Sequence, residues 1–532
     1  MKDGTDKSAY VLAIDLGTSG PKSALVSLDG NILDLSFCDV PTNLLPGGGA
    51  EQSPHKWWEA IKSTSLEVLD KNSAARELVT AVCCTGQWSG TVALDKHGNT
   101  LMDAIIWLDT RGSPYVQELF KGMLNFQGYS LYKLWNWLRL TGGIPSHSGK
   151  DSIAHILYIK HALPEVYENT DVFLEPKDFI NFKFTGRPAA SHDSITLHWL
   201  TDTRKLDRIG YSSCLLKSTG IERSKLPDLK KAVDTLGPIR PEVASELGLK
   251  KDVQVIMGTS DVQSAILGSG AVLDFQPHLY IGTSSWLTCH VPEKKTDIFR
   301  NMASLPSALP DRYFIANEQE TSGACLTFLQ NILLHSGRDF DPAGENYGDS
   351  CDVLNQWAEN APAGSNGVIF MPWLYGERTP VEDDTLRGGF LNLSLNTTRE
   401  DMVRAVFEGV ACNSRWLLDA VEKFSRRSFD SIHFIGGGAK SVLWGQILAD
   451  VMNKRVKKVA DPKGANIRGT AYLAGLALGA ISLEDIPGLV QIDQEFEPDE
   501  HNRVLYDKLF KDFLTCYHRT RKIYSKLNKK GN

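Results

Sequence analysis

Apolar runs that end in small polar turns recur along the chain, and they set its predicted elements. Tyr10 to Ile14 reads as a buried strand, with Ser23 to Ser27 and Ile32 to Phe37 as its neighbours and Asp29-Gly30 as the hairpin turn between those two. Pro46-Gly47-Gly48-Gly49 reads as a loop, and Ser53-Pro54 opens a helix carrying Trp57 and Trp58, with the proline in its first turn. Leu78 to Cys84, Ala104 to Leu108 and Val253 to Met257 read as further strands. Each runs into a polar segment: Gly86-Gln87-Trp88-Ser89-Gly90, Asp109-Thr110-Arg111 and Gly258-Thr259-Ser260-Asp261. Such strand ends carry the ligand loops of open α/β sheets. The section from about Gly112 to Arg240 is mixed and more helical. His278 to Ile281 and Trp286 to His290 then restart the strand–turn–strand pattern, and Ser431 to Ile435 ends in Gly436-Gly437-Gly438-Ala439. The helix after Asp261 (Ser264, Ala265, Gly268, Gly270) and the helix from Gly469 to Leu478 are rich in small residues, which predicts close packing on their neighbours.

The run Ile14-Asp15-Leu16-Gly17-Thr18-Ser19-Gly20 returns in shortened form as Ile281-Gly282-Thr283-Ser284-Ser285. Two Gly-Thr-Ser turns, each after an apolar strand, predict two phosphate-binding hairpins on related half-folds. Glycine lets the backbone approach an anion, the turn's N–H groups point at phosphate oxygens, and the hydroxyls add donors. Only the first copy carries an acid, Asp15, which fits one shared nucleotide site with a single metal-organising carboxylate. The repeated opening argues for duplication. It predicts an α/β protein of two lobes, residues 1–270 and 271–532, with a cleft between them that closes by hinge motion.

Composition narrows the class. The chain has 532 residues, 42 % hydrophobic and 23 % charged, and a net charge of −7. That balance is globular and gives no electrostatic argument for nucleic acid or an anionic membrane. The basic stretch Arg519 to Lys530 reads as the solvated end of a helix. Nine cysteines, an odd number without any C-x-x-C pair, predict reduced thiols in a cytoplasmic protein, with Cys83-Cys84 as packing residues. The polar N-terminus predicts no secretory signal, and no apolar run approaches the roughly 18 residues of a membrane span.

Taken in order, these marks resemble the FGGY family of carbohydrate kinases, which share the fold of actin and hexokinase, and within it the xylulokinase branch. The supporting runs are Asp15 to Ser19, Glu51-Gln52-Ser53-Pro54 with Trp57-Trp58, Gly86 to Gly90, Trp107 to Arg111 and Glu175-Pro176-Lys177-Asp178. Gly258 to Asp261, Gly282 to Ser284, Gly376-Glu377-Arg378-Thr379-Pro380 and Gly436 to Ala439 complete the set. The resemblance implies a two-lobed, ribonuclease H-like ATPase fold and transfer of phosphate from ATP to a primary hydroxyl of a small sugar or polyol. D-xylulose, giving D-xylulose 5-phosphate, leads. Another pentulose, a pentitol or a sugar acid is the alternative, and a non-kinase ATPase of the superfamily is the reading of a different class. Homodimers are common in the family.

By the same resemblance Asp261 is the general base for the sugar hydroxyl. Read as a residue alone, it is a helix N-cap candidate. Asp15 organises Mg²⁺, mainly through water. Thr18, Ser19 and Lys22 are the first phosphate contacts, Gly282 and Thr283 the second, and Gly437 and Gly438 leave room for adenine. Trp107 and Asp109 line the sugar pocket, Lys177 and Asp178 support it, and Glu377–Arg378 reads as a candidate ion pair. His192-Asp193 is assigned packing rather than chemistry. The pocket departs from the branch at three points. Its usual Gly-Gln-Met-His-Gly is here Gly86-Gln87-Trp88-Ser89-Gly90, and the Asn after the base is Val262. Two expected polar contacts are therefore gone, and a hydroxyl left unpartnered costs roughly 1–3 kcal/mol. Glycerol kinases have an Arg-Glu pair where this chain has Trp88 and Ser89, which disfavours glycerol. The stretch Arg387 to Glu408 resembles a second family signature, with Asp401, Ala405 and Glu408 in place, and departs from it at Asn392, usually Gly.

Overall fold

A computed structural model describes residues 9–333 and 350–528. Among them the first half builds a six-stranded sheet from β1 (Tyr10–Gly17), β2 (Gly20–Ser27), β3 (Ile32–Phe37), β4 (Val79–Gly86), β5 (Thr235–Pro238) and β6 (Gln254–Ser260), in the order β5-β6-β4-β1-β2-β3. β1 pairs antiparallel with β2 and parallel with β4, while β4 runs parallel to β6. Helix α1 (Asp261–Gly268) leads from β6 towards the second half. That half is built on β7 (His278–Ile281), β8 (Ser285–Thr288), β9 (Ser431–Ile435), β10 (Arg455–Val459) and β11 (Ile492–Phe496), with α2 (Ala465–Ala477) after β10. Its sheet order is β8-β7-β9-β10-β11. β7 pairs antiparallel with β8 and parallel with β9, β9 runs parallel to β10, and β11 closes the edge antiparallel. Strand for strand, β2-β1-β4-β6-β5 and β8-β7-β9-β10-β11 carry the same senses. The duplication expected from the two Gly-Thr-Ser turns is therefore present in topology, and α1 and α2 occupy equivalent places.

The strand β1 is buried on both faces, as its unbroken apolar run requires. Leu12, Ile14 and Leu16 pack with Trp57, Trp58 and Ile61 of the helix Pro54–Lys71. Val11 and Ala13 point the other way, into a cluster with Ala471, Tyr472 and Ala474 of α2. A helix from the second half thus covers the first half's sheet. It comes close because side chains are missing at the crossing. A Cβ on Gly268 of α1 would lie 1.8 Å from the Ala465 carbonyl oxygen, and one on Gly469 of α2 would lie 1.9 Å from the Ser264 carbonyl oxygen. The small residues read along both helices serve this backbone contact.

Three sequence expectations change. The strand expected over Ala104 to Leu108 is only Ala104–Ile105, because the chain turns at once, with the Asp109 N–H donating to the Ile106 carbonyl. Pro46–Gly48 is a short 3-10 turn and Gly49 already begins a strand, Gly49–Gln52. The strand expected over Trp286 to His290 breaks at Cys289. Ser285–Thr288 pairs with β7, whereas His290–Val291 joins another sheet beside Tyr313–Ala316. No helix among the described residues is long and apolar enough to cross a membrane. The described cysteines are free.

Candidate active site

Strand β6 ends at Ser260, and Asp261 is the first residue of α1, one place beyond the N-cap. Its Oδ1 accepts the N–H of Val262 at 2.8 Å, which fixes the carboxylate's direction. Burial pushes Asp261 up to about 7, and the Asp15 carboxylate, then Glu318, add to that rise against the Val262 hydrogen bond. A carboxyl group near neutrality at a strand end is poised to take a proton at physiological pH. The N-cap is Ser260, so Asp261 is not spent on capping.

A buried polar belt holds the strand end that presents Asp261. Lys177 Nζ donates to the Met257 carbonyl at 3.0 Å and to Ser191 Oγ at 3.2 Å, and pairs with Asp178 Oδ1 at 2.5 Å. Asn181 Nδ2 donates to the same Met257 carbonyl at 2.6 Å. Asp193 Oδ2 accepts the Thr259 hydroxyl and, at 3.3 Å, the Ser260 N–H. Asp193, read from the sequence as a packing residue, thus holds the two residues before Asp261, and only long-range contacts reveal it. Burial raises Asp178 to about 6 even with Lys177 beside it.

The two Gly-Thr-Ser turns lie at the ends of β1 and β7. Ser19 and Thr283 are exposed, while Thr18 is half-buried and its hydroxyl accepts the Trp107 Nε1–H at 2.9 Å. Lys22 Nζ stands 3.4 Å from Asp15 Oδ2. Asp15 itself is buried, and its Oδ1 has no hydrogen-bond partner among the described residues. An uncompensated buried carboxylate oxygen beside a phosphate-type turn suits a hard cation or its water shell. At the second turn the Gly323 N–H closes onto the Gly282 carbonyl at 2.9 Å. Gly437 is exposed, and a Cβ there would meet nothing within 4 Å, so its face is open. Gly438 differs, since a Cβ on it would strike Ile281 at 2.6 Å. Its lack of a side chain serves packing on β7.

The expected sugar-pocket residues divide. Trp107 stands at the first Gly-Thr-Ser turn through its bond to Thr18. Trp88 donates its Nε1–H to the Ser194 carbonyl at 2.9 Å and lies 6.2 Å from the Phe314 ring, so its face is apolar and its donor is spent. Val262 packs in the same cluster. Ser89 sits at φ 66° and donates to the Lys150 carbonyl at 2.7 Å. Asp109 does not face an open pocket. It is 1 % exposed and accepts from Ala50 N, Arg111 N and Arg111 Nε, each at 2.8 or 2.9 Å.

Across from these residues lies a charged wall that the sequence only half revealed. Glu377 and Arg378 do not pair with each other. Arg378 binds Glu320 at 2.5 Å and also Glu318, whereas Glu377 accepts from Asn413 Nδ2 at 2.6 Å and from the Glu320 N–H at 3.1 Å. Burial raises Glu377 to about 7. Glu318 and Glu320 carried no motif of their own. Only their closeness to Arg378 in space, and Glu318's effect on Asp261, brings them into the site.

The model of the FGGY family of carbohydrate kinases, N-terminal domain, matches residues 10–268, and that of the C-terminal domain matches residues 279–478. A xylulose kinase of Staphylococcus epidermidis is 27 % identical, over 97 % of this chain and 98 % of its own. An autoinducer-2 kinase of an Enterobacter species is 26 % identical, covering 96 % of this chain and 94 % of that one. The crystal structure of a gluconate kinase from Lactobacillus acidophilus superposes with a TM-score of 0.85 at 23 % identity, over 98 % of this chain and 100 % of its own.

Proposed function

Because the chain belongs to the FGGY family of carbohydrate kinases, we propose that it phosphorylates a primary hydroxyl of a five-carbon ketose, D-xylulose first among them, with Asp261 as the base. Carbohydrate kinases of this family use ATP. The boundary between the sugar-binding and nucleotide-binding lobes is placed near residue 270. The single observation that carries the mechanism is the Asp261 carboxylate, oriented by Val262 and raised to about 7. The acceptor hydroxyl gives its proton to Asp261 as its oxygen bonds to the γ-phosphorus and the bond to the ADP oxygen breaks. Thr18, Ser19, Gly282 and Thr283 supply backbone and hydroxyl donors to the phosphates, with Lys22 adding charge. Asp15 would hold Mg²⁺ through its free buried oxygen, and the ion when bound neutralises phosphate charge. The apolar faces of Trp88 and Val262 narrow the sugar end, and Trp107 ties that end to the phosphate turn. A homodimer is the expected assembly, on family grounds.

The test is ADP release with ATP and Mg²⁺ against D-xylulose, L-xylulose, D-ribulose, L-ribulose, xylitol, ribitol, glycerol and gluconate. Turnover led by D-xylulose supports the reading. Turnover led by another compound shifts the substrate, and none at all defeats it. On the nucleotide side, Gly437→Ala adds a methyl where no protein atom stands in its way. It should leave the thermal midpoint unchanged and raise KM for ATP about 10-fold, the scale of one misplaced methyl. An unchanged KM removes Gly437 from the nucleotide site.

A further inference from the structure

Lys150 is a cation that nothing above uses. It follows Gly149, whose φ of 80° and tight approach to the Ser113 backbone leave no room for a side chain, so the turn that presents Lys150 is fixed. The Lys150 carbonyl accepts the Ser89 hydroxyl, which locks the turn to the Trp88-Ser89 loop. The ammonium extends between the lobes, 5.9 Å from the Trp107 ring and 5.7 Å from the Tyr375 ring. Trp107 is bonded to the phosphate turn, and Tyr375 immediately precedes the Gly376-Glu377-Arg378 segment. Lys150 has no ion pair and no side-chain hydrogen bond among the described residues. Burial holds it below the ordinary lysine range, with Glu320 and Glu318 opposing that and Arg378 reinforcing it. Glu318 also acts on Asp261, so the base and this lysine border the same space.

A partly desolvated ammonium set between two aromatic rings, with no hydrogen-bond acceptor among the described residues, is an expensive arrangement unless something accepts from it. Glu318 and Glu320 are near enough to be felt but are held by Arg378. We propose that Lys150 is a specificity-determining residue that donates hydrogen bonds to the hydroxyl or carbonyl oxygens of a neutral sugar in the cleft, standing in for the polar contacts absent at Ser89 and Val262. The neutral class is taken from the ketose reading above, since Arg378 and Lys150 balance the charge of the two glutamates. The inference rests on the sugar-kinase reading above.

The experiment compares Lys150→Met, which keeps the stem against both rings, and Lys150→Arg with the unmodified protein on the neutral sugars of the panel and on gluconate. A contact made equally to the bound sugar and to the transition state appears in KM alone. Lys150→Met should therefore raise KM for the neutral sugar about 10- to 100-fold, the range for a lost charged hydrogen bond, with kcat and KM for ATP held. Lys150→Arg should recover part of the loss. An unchanged sugar KM overturns the assignment, as does a fall in kcat with KM unchanged, or a KM effect confined to gluconate. Failure of the unmodified protein on every sugar instead defeats the kinase reading, so the two failures are distinguishable.

Discussion

Replacing Asp261 by Asn is expected to lower kcat by about 10²- to 10⁴-fold, the usual contribution of a positioned base, while ATP binding and folding persist. Asn retains the size of the side chain and can still accept the Val262 N–H through its amide oxygen. What it cannot do is take a proton. Steady-state ADP release with the best sugar, together with nucleotide binding followed by calorimetry, checks both halves. A variant that keeps more than about a tenth of the activity would show that another group accepts the proton. The pH profile supplies a second reading. Asp261 works in its ionised form, and its value is raised to about 7. Activity should fall as pH drops through about 7 and level off above it. An acid limb near pH 4 would mean that the groups raising Asp261, burial first and Asp15 next, are relieved in the working enzyme.

Lys177→Met should cost about 3–5 kcal/mol of stability, the range for stripping one partner from a buried ion pair. Lys177 and Asp178 are both fully enclosed, and the methionine would leave Asp178 without its cation and the Met257 carbonyl short of a donor. The pH dependence has a definite sign. Asp178 is raised in the folded protein to about 6 from an ordinary 3.8, so the folded state binds its proton more tightly than the unfolded state does. That contribution favours the fold at low pH and is lost as pH rises through about 6. Without Lys177 the tendency strengthens, so the variant's deficit should be largest above pH 6 and narrow on acidification. Urea midpoints measured at several pH values test this, and a deficit that is small or flat with pH would mean that Asp178 is solvated from elsewhere. Because the same lysine anchors the end of β6, kcat should fall alongside stability.

The frame of the molecule was legible because its central strands are unbroken apolar runs ending in Gly-Thr-Ser. β7 and β9 match the expected limits, His278–Ile281 and Ser431–Ile435. Where an apolar run is short the reading fails, as at Ala104 to Leu108. There Trp107 leaves the strand to reach Thr18, and Asp109 turns inward to Ala50 and Arg111. The local pattern reports that these residues are buried but not in which geometry. Of the candidate site, the residues in contiguous motifs were readable, as with Asp15 and Asp261, which the fold brings near each other. Its supporting shell was not, because Asp193, Glu318, Glu320 and Lys150 meet their partners across long stretches of chain. The adjacency of Glu377 and Arg378 suggested a pair. In space the arginine reaches back to Glu318 and Glu320, and the glutamate turns to Asn413.

The backbone contact between α1 and α2 has a mechanical consequence. Asp261 stands at one end of α1 and Gly268 at the other, a separation of about 10 Å at 1.5 Å per residue. At Gly268 and Gly469 the two helices touch through peptide groups, and Arg468 Nη1 of α2 donates to the Gly268 carbonyl at 3.4 Å. Such a crossing behaves as a close-fitting bearing, stiff against separation because no slack is left between the backbones. Asp261 is fixed to one end of that bearing, so the aim of its carboxylate depends on a joint between the two halves of the chain. A bulky residue at the bearing would shift that carboxylate even where every group around it remained intact.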